Sequence, residues 1–240
     1  MTRTAIIAAM PDELKPLVRG WAHQRRGHVH LWRWTFDEGE WIAACGGAGA
    51  EAGTRAFAEI EHGGVIDRAI SAGWVGALRG HLNPGQSCQI AGVIDARTGE
   101  RFPVSGNPEG CWVATSPKFA DAKEKLRLAS TYNAELVDME GAIVARLAAM
   151  RGIPFDCLKA VSDGLNDHLP DFNPFITAEG QFRITHFIGF AILRPWYWRP
   201  LMRMGENSRK ASQSIAESLL QNLDPQGTIR QRNGFPNLKH

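Results

Sequence analysis

Residues 134–164, AELVDMEGAIVARLAAMRGIPFDCLKAVSDG, alternate between two kinds of secondary structure with almost nothing between them. AELVDME reads as an apolar strand, GAIVARLAAMRG as an Ala-rich helix ended by a glycine, and PFDCLKAVSD as a second apolar strand. The same alternation recurs upstream. TAIIAAM (4–10) is a short buried strand, and PDELKPLVRGW places Pro and acids in what reads as a first helical turn. HVHLWRWTF and WIAACGG form a hairpin, AGAEAGTRAFAEIEH a helix, and VIDRAISAG a strand. GQSCQIAGVIDARTG and GCWVATS read as strands, and PKFADAKEKLRLAST as a helix. Such a chain predicts an α/β sheet covered by helices on both faces.

In that architecture ligands bind beyond the carboxyl ends of strands. Four unusual stretches fall at such ends: Pro11–Glu13, Ala72–Ala77, Asp138–Glu140 and Ser162–Asp163. Carboxylates are almost never fully buried unless paired or used. Locally, Asp163 reads either as a helix cap or turn former or as a carboxyl aimed into a cleft; on the second reading Glu13, Glu140 and Asp163 make a three-acid site with few basic neighbours. Crowding and burial raise carboxyl pKa values, and an acid kept neutral near pH 7 can donate a proton. Cleavage of a glycosidic bond uses one such acid beside a second carboxylate.

The motifs AAMPDEL (8–14), SAGWVGAL (71–78), VATSPKFA (113–120), VDMEGAIVA (137–145) and KAVSDG (159–164) resemble the purine nucleoside phosphorylase and 5′-methylthioadenosine/S-adenosylhomocysteine nucleosidase superfamily, in order and spacing, over roughly residues 4–165. The resemblance implies a three-layer αβα sandwich around a mixed, largely parallel sheet, and cleavage of the N-glycosidic bond of an adenine nucleoside, 5′-substituted, by hydrolysis or phosphorolysis. By position it makes Asp163 the acid at purine N7, with Ser162 beside it. Glu140 accepts hydrogen bonds from ribose hydroxyls, Met139 lies against the sugar, and Phe119 stacks on the base. Glu13 and Lys159 lie near the attacking water, Lys159 replacing an arginine. Asp138 is expected only to cap the following helix. In the loop that begins at Gly73, a substrate-binding candidate, Trp74 and Val75 stand where the family carries small or hydroxyl residues, so Trp74 is expected to narrow the nucleophile pocket. Ser71 stands where one phosphorylase subgroup has a phosphate-binding arginine. Gly46, Gly47, Gly49, Gly73 and Gly76 offer N–H groups to an anion. Phosphate is thus a candidate co-substrate; no cofactor or metal is expected.

The C-terminal third differs in character. From Phe187 to Met204, bulky apolar and aromatic groups alternate with Arg194, Arg199 and Arg203. Two readings stand: a helix pair packed on the core or on a second subunit, or a surface that touches a membrane, since aromatic rings with basic flanks suit lipid headgroups. SDGLNDHLPDF through LRPWYWRPLMRMGENSRKAS is similar to the hopanoid-associated phosphorylase branch, which implies a lipid-linked nucleoside. One domain is expected over 1–223, helical from about 166, followed by a flexible tail over 224–240.

Other features limit the alternatives. Net charge is only +2 and gives no reason to expect a nucleic-acid partner. Cys45, Cys88, Cys111 and Cys157 match no CxxC or zinc spacing, and the amino terminus lacks a signal-type apolar run. A cytoplasmic protein, membrane-associated if the aromatic segment meets lipid, is expected, and a homo-oligomer. His28 and His30 are expected to pack in the hairpin, and Lys118 to be a solvated charge. A catalytically silent nucleoside-binding or scaffold protein is the alternative from another class.

Overall fold

The computed structural model describes residues 2–37, 39–104 and 107–223; the expected tail over 224–240 lies outside them. The elements, in chain order, are β1 (Thr2–Ala8), α1 (Pro11–Leu14), β2 (Ala22–Arg26), β3 (Val29–Phe36), β4 (Gly39–Cys45), α2 (Ala50–Glu61), β5 (Arg68–Ala77), β6 (Ser87–Cys88), β7 (Ile90–Asp95), β8 (Arg101–Pro103), β9 (Cys111–Thr115), α3 (Ala122–Tyr132), β10 (Leu136–Asp138), α4 (Gly141–Met150), β11 (Phe155–Asp163), α5 (Ile184–Ile192) and α6 (Trp198–Leu223).

One mixed sheet carries the strands in the order β2-β3-β4-β1-β5-β10-β9-β7-β8, with β11 on β5 and β6 on β11. Parallel pairing holds its centre, where β1 joins β4 and β5, and β11 runs beside β5. Antiparallel hairpins close the edges, β2–β3–β4 on one side and β7–β8 on the other. β5 is the junction. Its first half pairs with β1, its last two residues pair antiparallel with β10, and β11 follows it from Ala69 to Gly76.

Strand periodicity explains the layers. Along β1, Ile6 and Ala8 face a core shared with Ala211, Ile215, Ala216, Leu219 and Leu220 of α6. Ala5 and Ile7 face the other way, onto Ala56, Phe57 and Ile60 of α2 and Val144 and Ala148 of α4. Alternate residues thus bury on opposite faces, as a two-sided sheet requires. α3 adds Leu128 and Ala129 to a further cluster around Leu78, Ile94 and Ala114.

Two expectations change. Residues 164–183 are irregular, apart from one short 3₁₀ turn at Asn173–Phe175, so the helical extension begins at Ile184 and not near 166. The second half of α6 is not an appendage either. Ser208, Ala211, Ser212, Ile215, Ala216, Leu219 and Leu220 are buried at helical spacing, which makes α6 one of the covering layers. β2 has no signal in the sequence, because all five of its residues are exposed and carry no apolar alternation. Among the described residues, no helix is long and apolar enough to cross a membrane.

Candidate active site

Four chain segments leave the sheet around one cavity of about 700 Å³. β1 runs into Met10 and Glu13, and β5 contributes Trp74, Val75 and Gly76. β10 ends in Asp138, Met139 and Glu140, and β11 ends in Ser162 and Asp163. The three acids predicted from the motifs therefore meet. Met139, Phe119, Ser162 and Trp74 also line the space.

Glu13 is held by backbone. Its Oε2 accepts from the Met10 N–H (2.8 Å) and its Oε1 from the Trp74 N–H (2.9 Å). Gly73 sits beneath it with φ 147°, and a Cβ there would lie 2.9 Å from Glu13 Oε1, so only glycine fits. Burial raises the Glu13 pKa, opposed by those backbone N–H groups and by the Lys159 charge. A carboxylate whose pKa is raised is a better proton acceptor than a free one.

Glu140 opens α4. Its Oε1 accepts from the Gly49 N–H at 2.5 Å. Burial and the Asp138 and Glu13 charges push it up to about 8, against the Gly49 hydrogen bond and Lys159. Asp138 does cap the helix, accepting from the Gly141 N–H at 2.9 Å. It also accepts from Thr115 Oγ1 (2.6 Å) and pairs with Lys159 Nζ at 2.8 Å. Lys159 donates in addition to Ser71 Oγ (3.0 Å). Burial alone would lower the Lys159 pKa; Asp138, Cys157 and Glu140 together offset that and raise it.

Asp163 is bound on both oxygens. Oδ1 accepts from Ser162 Oγ (2.7 Å), and Oδ2 faces Lys125 Nζ at 2.5 Å. Lys125 comes from α3, where it shares the buried face with Leu128 and Ala129. Lysine and aspartate here are 4% and 3% exposed, so the pair is shielded from water.

The remaining wall is apolar. Phe119 meets Phe172 edge-on at 4.8 Å between centroids. Phe172, Phe182, Phe187, Ile184, Leu201 and Met204 complete the apolar lining.

Several site expectations need correction. The motifs predict few basic neighbours, yet two buried lysines stand among the acids. Lys159 does not line the cavity; its ammonium is tied to Asp138 and Ser71 behind the site. Gly73 lies under Glu13 and is not part of the lining. Trp74 turns its indole onto α6, donating to Ser212 Oγ at 2.9 Å, while its backbone N–H serves Glu13. Two of the expected anion-binding N–H groups are occupied, Gly47 by the Ala9 carbonyl and Gly49 by Glu140. Lys118 is exposed, as expected. Lys125 was legible only as a lysine on an otherwise apolar helix face, and the aromatic wall from 172 to 187 has no periodic signature.

The fold is that of the nucleoside phosphorylase and nucleosidase class. A mutant of Helicobacter pylori 5′-methylthioadenosine nucleosidase, solved with 5′-methylthioadenosine in its active site, superposes with TM-score 0.69 at 16% identity, over 94% of this chain and 99% of that one. A mutant of Helicobacter pylori futalosine hydrolase gives 0.70 at 17%, over 94% and 100%. A Streptococcus pyogenes S-adenosylhomocysteine nucleosidase gives 0.67 at 18%, over 92% and 97%. In sequence, residues 108–184 match the model of the phosphorylase superfamily, and over that stretch the chain carries the superfamily's pattern. The matched residues include Phe119, Met139, Glu140, Lys159, Ser162 and Asp163. No curated protein sequence matches the chain.

Proposed function

We propose that the protein cleaves the N-glycosidic bond of a purine nucleoside by hydrolysis. The observation that carries this is the convergence of Glu13, Glu140 and Asp163 on one partly apolar cavity. The purine stacks against Phe119 with N7 toward Asp163, Glu140 holds the ribose hydroxyls, and Met139 packs against the sugar. As the C1′–N9 bond lengthens, positive charge grows on the ribose and the surrounding carboxylates stabilise it. Glu13 takes the proton of the attacking water. Water is favoured over phosphate because Ser71 is engaged by Lys159, and the Gly47 and Gly49 N–H groups already have acceptors.

Incubation with adenosine and with 5′-methylthioadenosine, with and without phosphate, tests the reading. The expected products are adenine and a free ribose; ribose 1-phosphate would make phosphate the nucleophile. Asp163→Asn is expected to lower turnover by about 10²–10⁴-fold. A protein that binds these nucleosides but releases no base would be the silent binding module instead.

The apolar wall favours a nucleoside with a greasy 5′ substituent. It leads to α5 and the start of α6, where Ile188, Ile192, Leu193, Trp196, Trp198 and Met202 are exposed beside Arg194, Arg199 and Arg203. This is the composition of a surface that rests on lipid headgroups, so a lipid-linked adenosine taken from a membrane is the second reading. Co-sedimentation with anionic vesicles tests it. A vesicle-independent dimer covered by the same face would replace the membrane with a second copy of this chain.

A further inference from the structure

Lys125 has no role in the chemistry so far. It is nearly buried, it lines the cavity, and its Nζ donates to Asp163 Oδ2 at 2.5 Å and to the Gly164 carbonyl at 2.8 Å. An ammonium carries three hydrogens. Among the described residues, the third meets no acceptor. Space is kept for the pair: a Cβ on Gly76 would lie 3.2 Å from Lys125 Cε and 3.1 Å from Asp163 Oδ2. Replacing a buried ion pair with apolar side chains is often neutral or stabilising, so stability alone is a poor reason for a lysine at this position of α3.

We propose that Lys125 is the source of the proton that leaves with the base, passed through Asp163. This rests on the nucleosidase reading above. With both Asp163 oxygens already accepting hydrogen bonds, the proton available to the purine is the one shared with Nζ. The C1′–N9 bond breaks and its electron pair enters the purine ring. The proton moves from Nζ to Asp163 Oδ2 and on to the ring nitrogen, leaving a neutral amine. Water adds to C1′ and gives its proton to Glu13, and exchange with solvent returns both groups to their starting forms. Asp163 is the residue that touches the base; Lys125 acts behind it.

Lys125→Arg separates a proton source from a structural partner, because a guanidinium keeps the charge and the pairing but does not give up a proton. Adenosine and 4-nitrophenyl β-riboside are the two probes, the latter because its leaving group needs no protonation. The expected result is a loss of about 100-fold or more with adenosine and unchanged hydrolysis of the nitrophenyl riboside. Lys125→Gln, which keeps a hydrogen-bond donor to Asp163 without a transferable proton, should give the same split if the arginine is too large for the site. Wild-type turnover of adenosine by either folded variant would overturn the proposal, as would equal loss on both substrates by a folded variant. Failure of the wild type to cleave any purine nucleoside would instead overturn the function on which this rests.

Discussion

The floor and the far wall of the cavity are built on opposite terms. On the floor, Glu13, Lys125, Asp138, Glu140 and Asp163, with Lys159 behind them, are all buried, and each has a hydrogen-bonded or ionic partner. All but Lys125, which α3 supplies, stand on or next to strands of the central sheet. The far wall is made by irregular chain, α5 and the start of α6, and α5 has no buried residue. Its aromatics pack mainly on one another, as Phe187 does on Phe172, Phe175, Phe182 and Phe190. Groups that must keep sub-ångström geometry sit where the backbone is fixed on both sides. Groups that only need to be apolar sit where it is not.

The sharpest way to break this contrast is at the floor. Lys159→Met leaves Asp138 buried and unpaired, and should destabilise by about 3–5 kcal/mol in urea unfolding. The double variant Lys159→Met with Asp138→Asn should recover much of that loss. If the single variant unfolds like the wild type, the floor is not the rigid half of the comparison.

A second measurement concerns pH. The Glu140 carboxyl, ordinarily near 4.5, is held up to about 8 in the fold. A raised acid gives stability that is present in full below pH 4.5 and lost as pH rises through 8, since the folded state holds the proton more tightly. Tm should therefore fall between pH 5 and about 8.5, and Glu140→Gln should flatten that fall. Identical slopes in the two proteins would remove Glu140 as its cause.

Effects at the far wall should be smaller and selective. Phe187→Ala should raise KM roughly tenfold for a 5′-substituent with an alkyl chain, and leave plain adenosine unaffected. Smallest of all, Trp196→Ser should change stability by no more than about 0.5 kcal/mol, while weakening any retention on anionic vesicles.

The same contrast explains what the sequence disclosed. Strands such as Thr2–Ala8, Leu136–Asp138 and Phe155–Asp163 are largely buried and read as apolar runs, and the polar residues at or just beyond their ends mark Glu13, Glu140 and Asp163. Side-chain direction is not encoded by such runs. Lys159 lies in one, and nothing local tells that its ammonium turns toward Asp138 and away from the cavity. Lys125 was hidden by a helix whose other charges, Lys123, Glu124 and Arg127, are ordinary surface residues in pattern. The aromatic wall is unreadable for another reason: residues 164–183 are held by ring contacts among Phe172, Phe175, Phe182 and Phe187 and by hydrogen bonds to distant chain, from the Phe119 N–H to Asn173 and from the Ala48 N–H to the Gly180 carbonyl, which leave no period in the chain.

The branching of β5 reaches beyond catalysis. Its backbone is hydrogen-bonded to β1, β10 and β11, and the Trp74 amide donates to Glu13. Amide protons along this strand should exchange with heavy water only when the whole molecule opens, whereas those of α5 should exchange through local fraying. Heating or mild denaturant would then loosen the aromatic wall first and leave the buried carboxylates in place until the last cooperative step.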